Sequence, residues 1–328
     1  MILRQGSGAL IVVGAGPDVD AASSGGFRLV DAPFTSQRIA ELAKMDGGIV
    51  VDDKDGEIVA ANVHFIPDPT IRTDETGTRF RTAERLALQT GRPVLAVSEE
   101  GRRYAVVYSN TDRFVLQDPT SLLAEANQRL QALERLRRQL DDAEDRLTRY
   151  EVDDVVVLRD AVLVIQRAAL ILRLLSELET IAVELGDEAS LIRIQASDLA
   201  AGVEALAELV NYDYQRRRPR AGTSVFVRLN ELDSEEVYHT LAMATQLGLT
   251  PVDEAVHPRG ARALAGVPRL PVAVRDQLIR RFGTLQRLLD ADVDDLSSVE
   301  GVGVVRARQI RTYLDRLDEV RALSDLAD

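Results

Sequence analysis

Thr76-Gly77-Thr78-Arg79-Phe80-Arg81-Thr82-Ala83-Glu84-Arg85 places a flexible glycine, hydroxyls and two guanidiniums where a helix-forming run begins. Free amides and the positive end of a helix dipole favour an anion, and two arginines at i and i+2 suit a polyphosphate. The same residue types also occur at solvated loop-to-helix junctions, so these ten residues alone leave both readings open.

Working outward, Lys44-Met45-Asp46-Gly47-Gly48 and Ala61-Asn62-Val63-His64-Phe65-Ile66-Pro67-Asp68-Pro69-Thr70 lie upstream. The three pieces, in this order and spacing, resemble the diadenylate cyclase domain of the DNA integrity scanning protein family, which joins two ATP molecules into cyclic di-AMP. That family's Asp-Gly-Ala and Arg-His-Arg signatures stand here as Asp46-Gly47-Gly48 and Arg79-Phe80-Arg81. The resemblance continues through a helical middle to a helix-hairpin-helix end. It also marks a departure at the start, because the family carries a helical lead-in and this chain has only a few residues before its first strand.

The resemblance implies a set of roles. Asp46, Arg79 and Arg81 would be catalytic, with Asp46 serving the ribose 3′-hydroxyl and a Mg²⁺ or Mn²⁺ ion. Gly47, Phe65, Thr78, Arg79, Phe80, Arg81, Thr82 and Ser98 would bind ATP, Gly47 letting the nucleotide approach the backbone and Phe65 meeting adenine. Phe80 takes the place of the family histidine, and a phenylalanine neither ligates a metal nor donates a hydrogen bond. The implied function is condensation of two ATP into cyclic di-AMP and two pyrophosphates, coupled to sensing of branched or damaged DNA. The alternative is a weak or inactive member that binds ATP, DNA junctions or both. One domain holds one ATP, so the family reacts across a face-to-face dimer within an octamer. His64, beside the adenine position, reads as structural.

Composition sets the bounds. A chain of 328 residues, 45% hydrophobic and 28% charged, is an ordinary globular composition with room for two or three domains. The net charge of −13 argues against a surface covered by nucleic acid, so any DNA contact must be local. Cysteine is absent, which removes disulfides and thiolate chemistry and fits a cytoplasmic location. The longest apolar region, Val155 to Leu175, is interrupted by Arg159, Asp160, Gln166, Arg167 and Arg173 and reads as a buried amphipathic helix, with no membrane partner. No targeting segment is expected.

Along the chain, Ala9–Val13, Gly48–Val51, Glu57–Phe65, Pro93–Ser98, Tyr104–Tyr108 and Phe114–Leu116 read as strands. Ser36–Met45 and Thr82–Thr90 read as helices, the second stopped by Gly91. From Pro119 the pattern becomes helical: Ala126, Leu133, Leu140 and Leu147 recur every seven residues, and further helices are expected over 154–185 and 188–212. Arg216-Arg217-Arg218-Pro219-Arg220-Ala221-Gly222 reads as a linker, either a solvated hinge or a DNA contact.

Near the end, Val299-Glu300-Gly301-Val302-Gly303-Val304-Val305-Arg306-Ala307 has the two-glycine pattern of a helix-hairpin-helix, whose turn leaves amides free for a DNA phosphate. Ala265-Gly266-Val267-Pro268-Arg269-Leu270 reads as a degenerate first copy. Gly266, Arg269, Gly301, Gly303, Arg306 and Arg308 are the candidate DNA contacts. Between Val256 and Arg311 ten arginines face six acidic residues, a local balance of +4. A protein-binding hairpin domain is the competing reading. The expected fold is multidomain α+β: an N-terminal α/β domain with a central mixed sheet over 1–118, an all-α spine over 119–222, and a C-terminal helix-hairpin-helix domain over 223–328.

Overall fold

The computed structural model describes residues 2–99, 104–215, 224–233 and 235–324. The arginine-rich linker expected at 216–222 lies outside the described residues. The chain forms two compact units, Met1–Ala124 and Glu125–Asp328.

The first unit is built on a mixed sheet. Its strands are β1 (Ala9–Val13), β2 (Ser23–Ser24), β3 (Phe27–Arg28), β4 (Gly48–Val51), β5 (Ile58–Phe65), β6 (Val94–Val97), β7 (Ala105–Ser109) and β8 (Asp112–Leu116). The path runs β2-β5-β4-β1-β6-β7-β8, with β3 also on β5. Only the central pair β1–β4 is parallel, with Ile11 opposite Ile49 and Val13 opposite Val51; the other neighbours are antiparallel.

Side-chain alternation explains how both faces fill. Val12 and Val50 point to one face, where Phe80, Ala83, Leu86 and Ala87 of the helix Thr78–Thr90 pack. Ile11, Ile49 and Val51 point to the other, against Ile39 and Ala43 from the helix Ser36–Leu42 and its end. The expected strands are present. β2 and β3 were not expected; at two residues each they are too short to show a period. The helix expected from Thr82 begins instead at Thr78, capped by Gly77, and closes at Gly91 with φ 65°. A four-residue helix, Ile2–Gln5, precedes β1.

The second unit is helical. Most of the helix Pro119–Val152 belongs to it, and Ala126, Leu133, Leu140 and Leu147 are all fully buried. Leu158–Leu185 follows, ended by Gly186. The helix expected over 188–212 is two, Ser190–Ala200 and Val203–Tyr214, because Gly202 adopts φ 75° between them. Beyond lie Ala261–Ala265, Val272–Phe282, Leu285–Asp290, Val293–Ser297 and Val304–Ser324 around their own apolar cluster, which includes Leu264, Leu278, Leu296, Ile310 and Leu314.

A buried ionic network joins this end to the preceding helices. Arg262 pairs with Glu151, and the Tyr214 hydroxyl donates to Glu151 at 2.6 Å. Asp213 accepts the amides of Ala261 at 2.7 Å and Arg262 at 2.9 Å. Burial and the Glu151 charge push the Asp213 carboxyl up to about 7, against those amides. Such pairs seldom add net stability, but removing one partner strands the other, so the network fixes one arrangement of these helices.

Candidate functional site

A cavity of about 430 Å³ opens in the first unit where β1, β4 and β5 meet the start of the helix Thr78–Thr90. Asp46, Gly47, Gly48, Phe65, Thr78, Arg79, Phe80 and Thr82 all line it, so pieces of sequence up to 36 residues apart converge on one cavity. His64 is at its wall too, exposed. Arg81 and Ser98 are not part of the wall. Arg81 is exposed, with its amide bonded to Gly77 O, and the Ser98 amide donates to Tyr104 O at 3.0 Å.

Local chemistry explains each position. Gly77 has an extended backbone and no side chain to cap the helix, so the first-turn amides at Thr78 and Arg79 have no intrahelical acceptor. The Arg79 guanidinium donates to Glu99 at 3.0 Å and to Val97 O at 3.4 Å. It lies over Gly8, where a Cβ would come within 2.1 Å of it. Asp46 is exposed in the turn between the helix Ser36–Leu42 and β4.

Two glycines of the signature serve packing. A Cβ on Gly47 would come within 2.4 Å of the Asn62 backbone, so the close approach of β5 requires a glycine there. A Cβ on Gly48 would fall 2.0 Å from the Phe65 ring. The family alanine is therefore incompatible with this placement of Phe65, whose ring fills the space and forms part of the cavity's apolar side. Phe80 is only 7% exposed and stacks on Tyr104, ring centroids 5.0 Å apart at 16°. Its ring belongs to the core cluster and presents only an edge of that core to the cavity.

Among the described residues no group of three or more His, Cys, Asp or Glu side chains converges to hold a metal. Mg²⁺ is commonly bound through one or two carboxylates plus substrate phosphates, and Asp46, which shares the wall with the Arg79-paired Glu99, fits such a substrate-completed site. Glu99 and Gly8 went unread in the sequence. Glu99 is 20 residues from Arg79 and no short-range pattern links them, whereas Gly8, in Gly6-Ser7-Gly8 before a strand, carried a readable signal for close approach.

At the other end, Gly301 sits in the turn with φ 82°, and Gly303 accepts the first bond of the helix Val304–Ser324, from the Ala307 amide at 2.9 Å. Arg306 folds back to donate to Gly301 O, while Arg308 is exposed. Gly266 ends the helix Ala261–Ala265 and faces the Tyr313 hydroxyl; the counterpart of Gly301 is Arg269, at φ 57°. Pro271 then caps the following helix in the place of Gly303 and supplies no amide.

Comparison with known proteins agrees with this organisation. Residues 1–111 match the family described as DisA bacterial checkpoint controller nucleotide-binding, residues 116–256 its linker region, and residues 263–323 a helix-hairpin-helix motif. The DNA integrity scanning protein DisA of Acidothermus cellulolyticus is 44% identical over 97% of this chain and 88% of its own length. Its namesake in Streptomyces coelicolor is 43% identical over 97% and 87%, and that in Parafrankia sp. 44% over 97% and 90%. With three family regions in order and such identity over nearly its full length, this chain belongs to the DNA integrity scanning protein family.

Proposed function

We propose that the chain is a diadenylate cyclase that condenses two ATP into cyclic di-AMP and two pyrophosphates, and that its hairpin end binds branched or damaged DNA. The observation that carries the cyclase reading is convergence: Asp46, the uncapped amides at Thr78 and Arg79, the Arg79 guanidinium and the Phe65 ring share one cavity. A nucleotide needs those features together, an anion cradle beside an apolar wall.

In this reading Arg79 and the Thr78 amide take the triphosphate, Thr82 adds a hydroxyl, and Phe65 meets adenine. Asp46 orients the 3′-hydroxyl that attacks the α-phosphate of an ATP held by a facing copy, and Arg79 offsets charge on the departing pyrophosphate. Arg81 and Ser98, off the cavity wall, act on the nucleotide of the facing copy or only once ATP is bound. A Mg²⁺ or Mn²⁺ ion held by Asp46 would supply Lewis-acid polarisation of the phosphate. Working copies assemble as an octamer in the cytoplasm. No helix among the described residues is long and apolar enough to cross a membrane. The division of labour is 1–118 for nucleotide chemistry, 119–222 for the spine and 223–328 for DNA.

Burial of Phe80 favours a second reading, a catalytically weak member that binds ATP and DNA junctions. A stacked apolar ring leaves the cavity without the polar group that the family carries there. One experiment decides between them. Purified protein incubated with ATP and Mn²⁺ or Mg²⁺ yields cyclic di-AMP if the first reading holds, and ATP binding without product supports the second.

A further inference from the structure

The cradle works only if Gly77 and Thr78 stand still, and neither is anchored by its own side chain: one has none and the other is exposed. The segment before them is anchored in series. From Ile66 the chain runs back along the helix Thr78–Thr90. The Asp68 amide donates to Gln89 at 2.8 Å, Arg85 donates to Ile71 O at 2.8 Å, and the Thr73 hydroxyl bonds Glu84. These contacts progress toward the helix start, and the last one before Gly77 comes from the sheet.

Oε1 of Glu75 accepts the Tyr108 hydroxyl at 2.6 Å and Nε of Arg113 at 2.7 Å. Tyr108 and Arg113 are directly opposite across β7 and β8, so one rung of that hairpin presents both donors side by side. Tyr108 is 1% exposed, and a buried phenol requires an acceptor. Burial opposes charge on Glu75, yet the Tyr108 and Arg113 donors hold its carboxyl below the usual glutamate range. The clamp is therefore ionised and charge-assisted.

We propose that Glu75 is a positioning residue for the phosphate cradle: by gripping Tyr108 and Arg113 it fixes where the Gly77–Thr78 amides meet the ATP triphosphate. This rests on the nucleotide reading of the cavity. Only Thr76 separates Glu75 from the capping glycine, so release of the clamp leaves the cradle tethered at Thr73 and free to move beyond it. Phosphate affinity then falls while the nucleoside subsite, built from β4 and β5, is untouched.

The test uses the full chain with Glu75→Gln, and with Arg113→Gln as a milder surface change. ATP and adenosine affinities are measured by calorimetry, and amide hydrogen exchange over 76–82 is followed without ligand. Glu75→Gln is expected to weaken ATP about tenfold, the scale of one lost charge-assisted bond, with adenosine unchanged within twofold and exchange over 76–82 faster. Arg113→Gln follows with about threefold. Unchanged exchange overturns the clamp. Faster exchange with ATP and adenosine affinities unchanged, or falling together, overturns its positioning role. An unmodified chain that binds adenosine but not ATP defeats the nucleotide reading and this role with it, whatever the exchange shows.

Discussion

Several helices in this protein start after a glycine that offers no side-chain cap, and two of them, after Gly77 and after Gly303, have arginines in their first turns. At the front, Arg79 is drawn into a cavity and paired with Glu99. At the back, Arg306 is spent on the turn's own carbonyl, Arg308 is exposed, and the free amides face open solvent. On the proposed reading the same backbone device serves two kinds of recognition. An enclosed site selects a ligand by shape and pre-aimed charge. An open hairpin gathers weak phosphate contacts, with affinity that falls steeply with salt and with little sequence preference.

The sharpest way to break the front half of the comparison is Asp46→Asn, which removes the carboxylate proposed to hold the metal at nearly constant volume. Product formation is expected to fall by about 10³-fold or more, read as cyclic di-AMP released from ATP. Full activity in this variant would remove Asp46 from the chemistry.

Phe80→His comes next and acts in the opposite direction. It returns a polar group to the cavity edge, and turnover is expected to rise about tenfold to a hundredfold. Because Phe80 is buried and stacked on Tyr104, the imidazole also costs about 1–2 kcal/mol of stability, measurable as a lower urea midpoint. A stability loss with no gain in rate would show that the surroundings of Phe80 have closed around an apolar ring.

How far all this was legible follows from the reach of each signal. Strands of four or more residues, the leucine stripe and the Gly-Val-Gly turn carry their own periods or backbone demands, and they were readable. The stretch proposed as the cradle stood out because its residues are contiguous. In the first hairpin Gly266 and Arg269 were both candidates, and the left-handed seat belongs to Arg269, a residue type that rarely takes it. Glu75 with Tyr108 and Glu99 with Arg79 pair across 33 and 20 residues, and only the sheet's register brings them together. The coupling of Gly48 to Phe65 was likewise hidden, since alanine-to-glycine looks like a small loss until the ring is seen in the vacated space.

The two hairpins allow the back half to be tested within one domain. Gly301→Ala forces a side chain into φ 82° and sets its Cβ 3.3 Å from Val274. Strain of about 1–2 kcal/mol should fall on the turn and weaken junction DNA about fivefold to tenfold in a gel-shift titration. Arg269→Gly relieves the equivalent strain in the first hairpin but removes a cation. It should stabilise the fold by a few tenths of a kcal/mol to about 1 kcal/mol, weaken DNA about twofold to threefold and reduce the salt slope by about one. Equal losses from both changes would mean that the hairpins share the phosphate work despite Pro271.

The smallest effect concerns the ion pair that distinguishes the front site. Glu99 holds Arg79 at 3.0 Å, yet the Glu99 side chain is 58% exposed, and such pairs are worth at most about 1 kcal/mol. An incoming triphosphate must displace that carboxylate, and the Glu99 charge also repels it. Glu99→Gln removes both penalties and keeps the volume, so ATP affinity should rise about twofold to fivefold. Adenosine affinity should not move, since it brings no phosphate to compete. Screening predicts the salt dependence: the gain is largest at low ionic strength and shrinks toward 0.5 M salt. A fall in ATP affinity would reverse the assignment, because Glu99 would then be orienting Arg79 for the phosphate instead of competing for it. In that case the Val97 carbonyl alone, at 3.4 Å, would be too weak a partner to keep the guanidinium in place over Gly8.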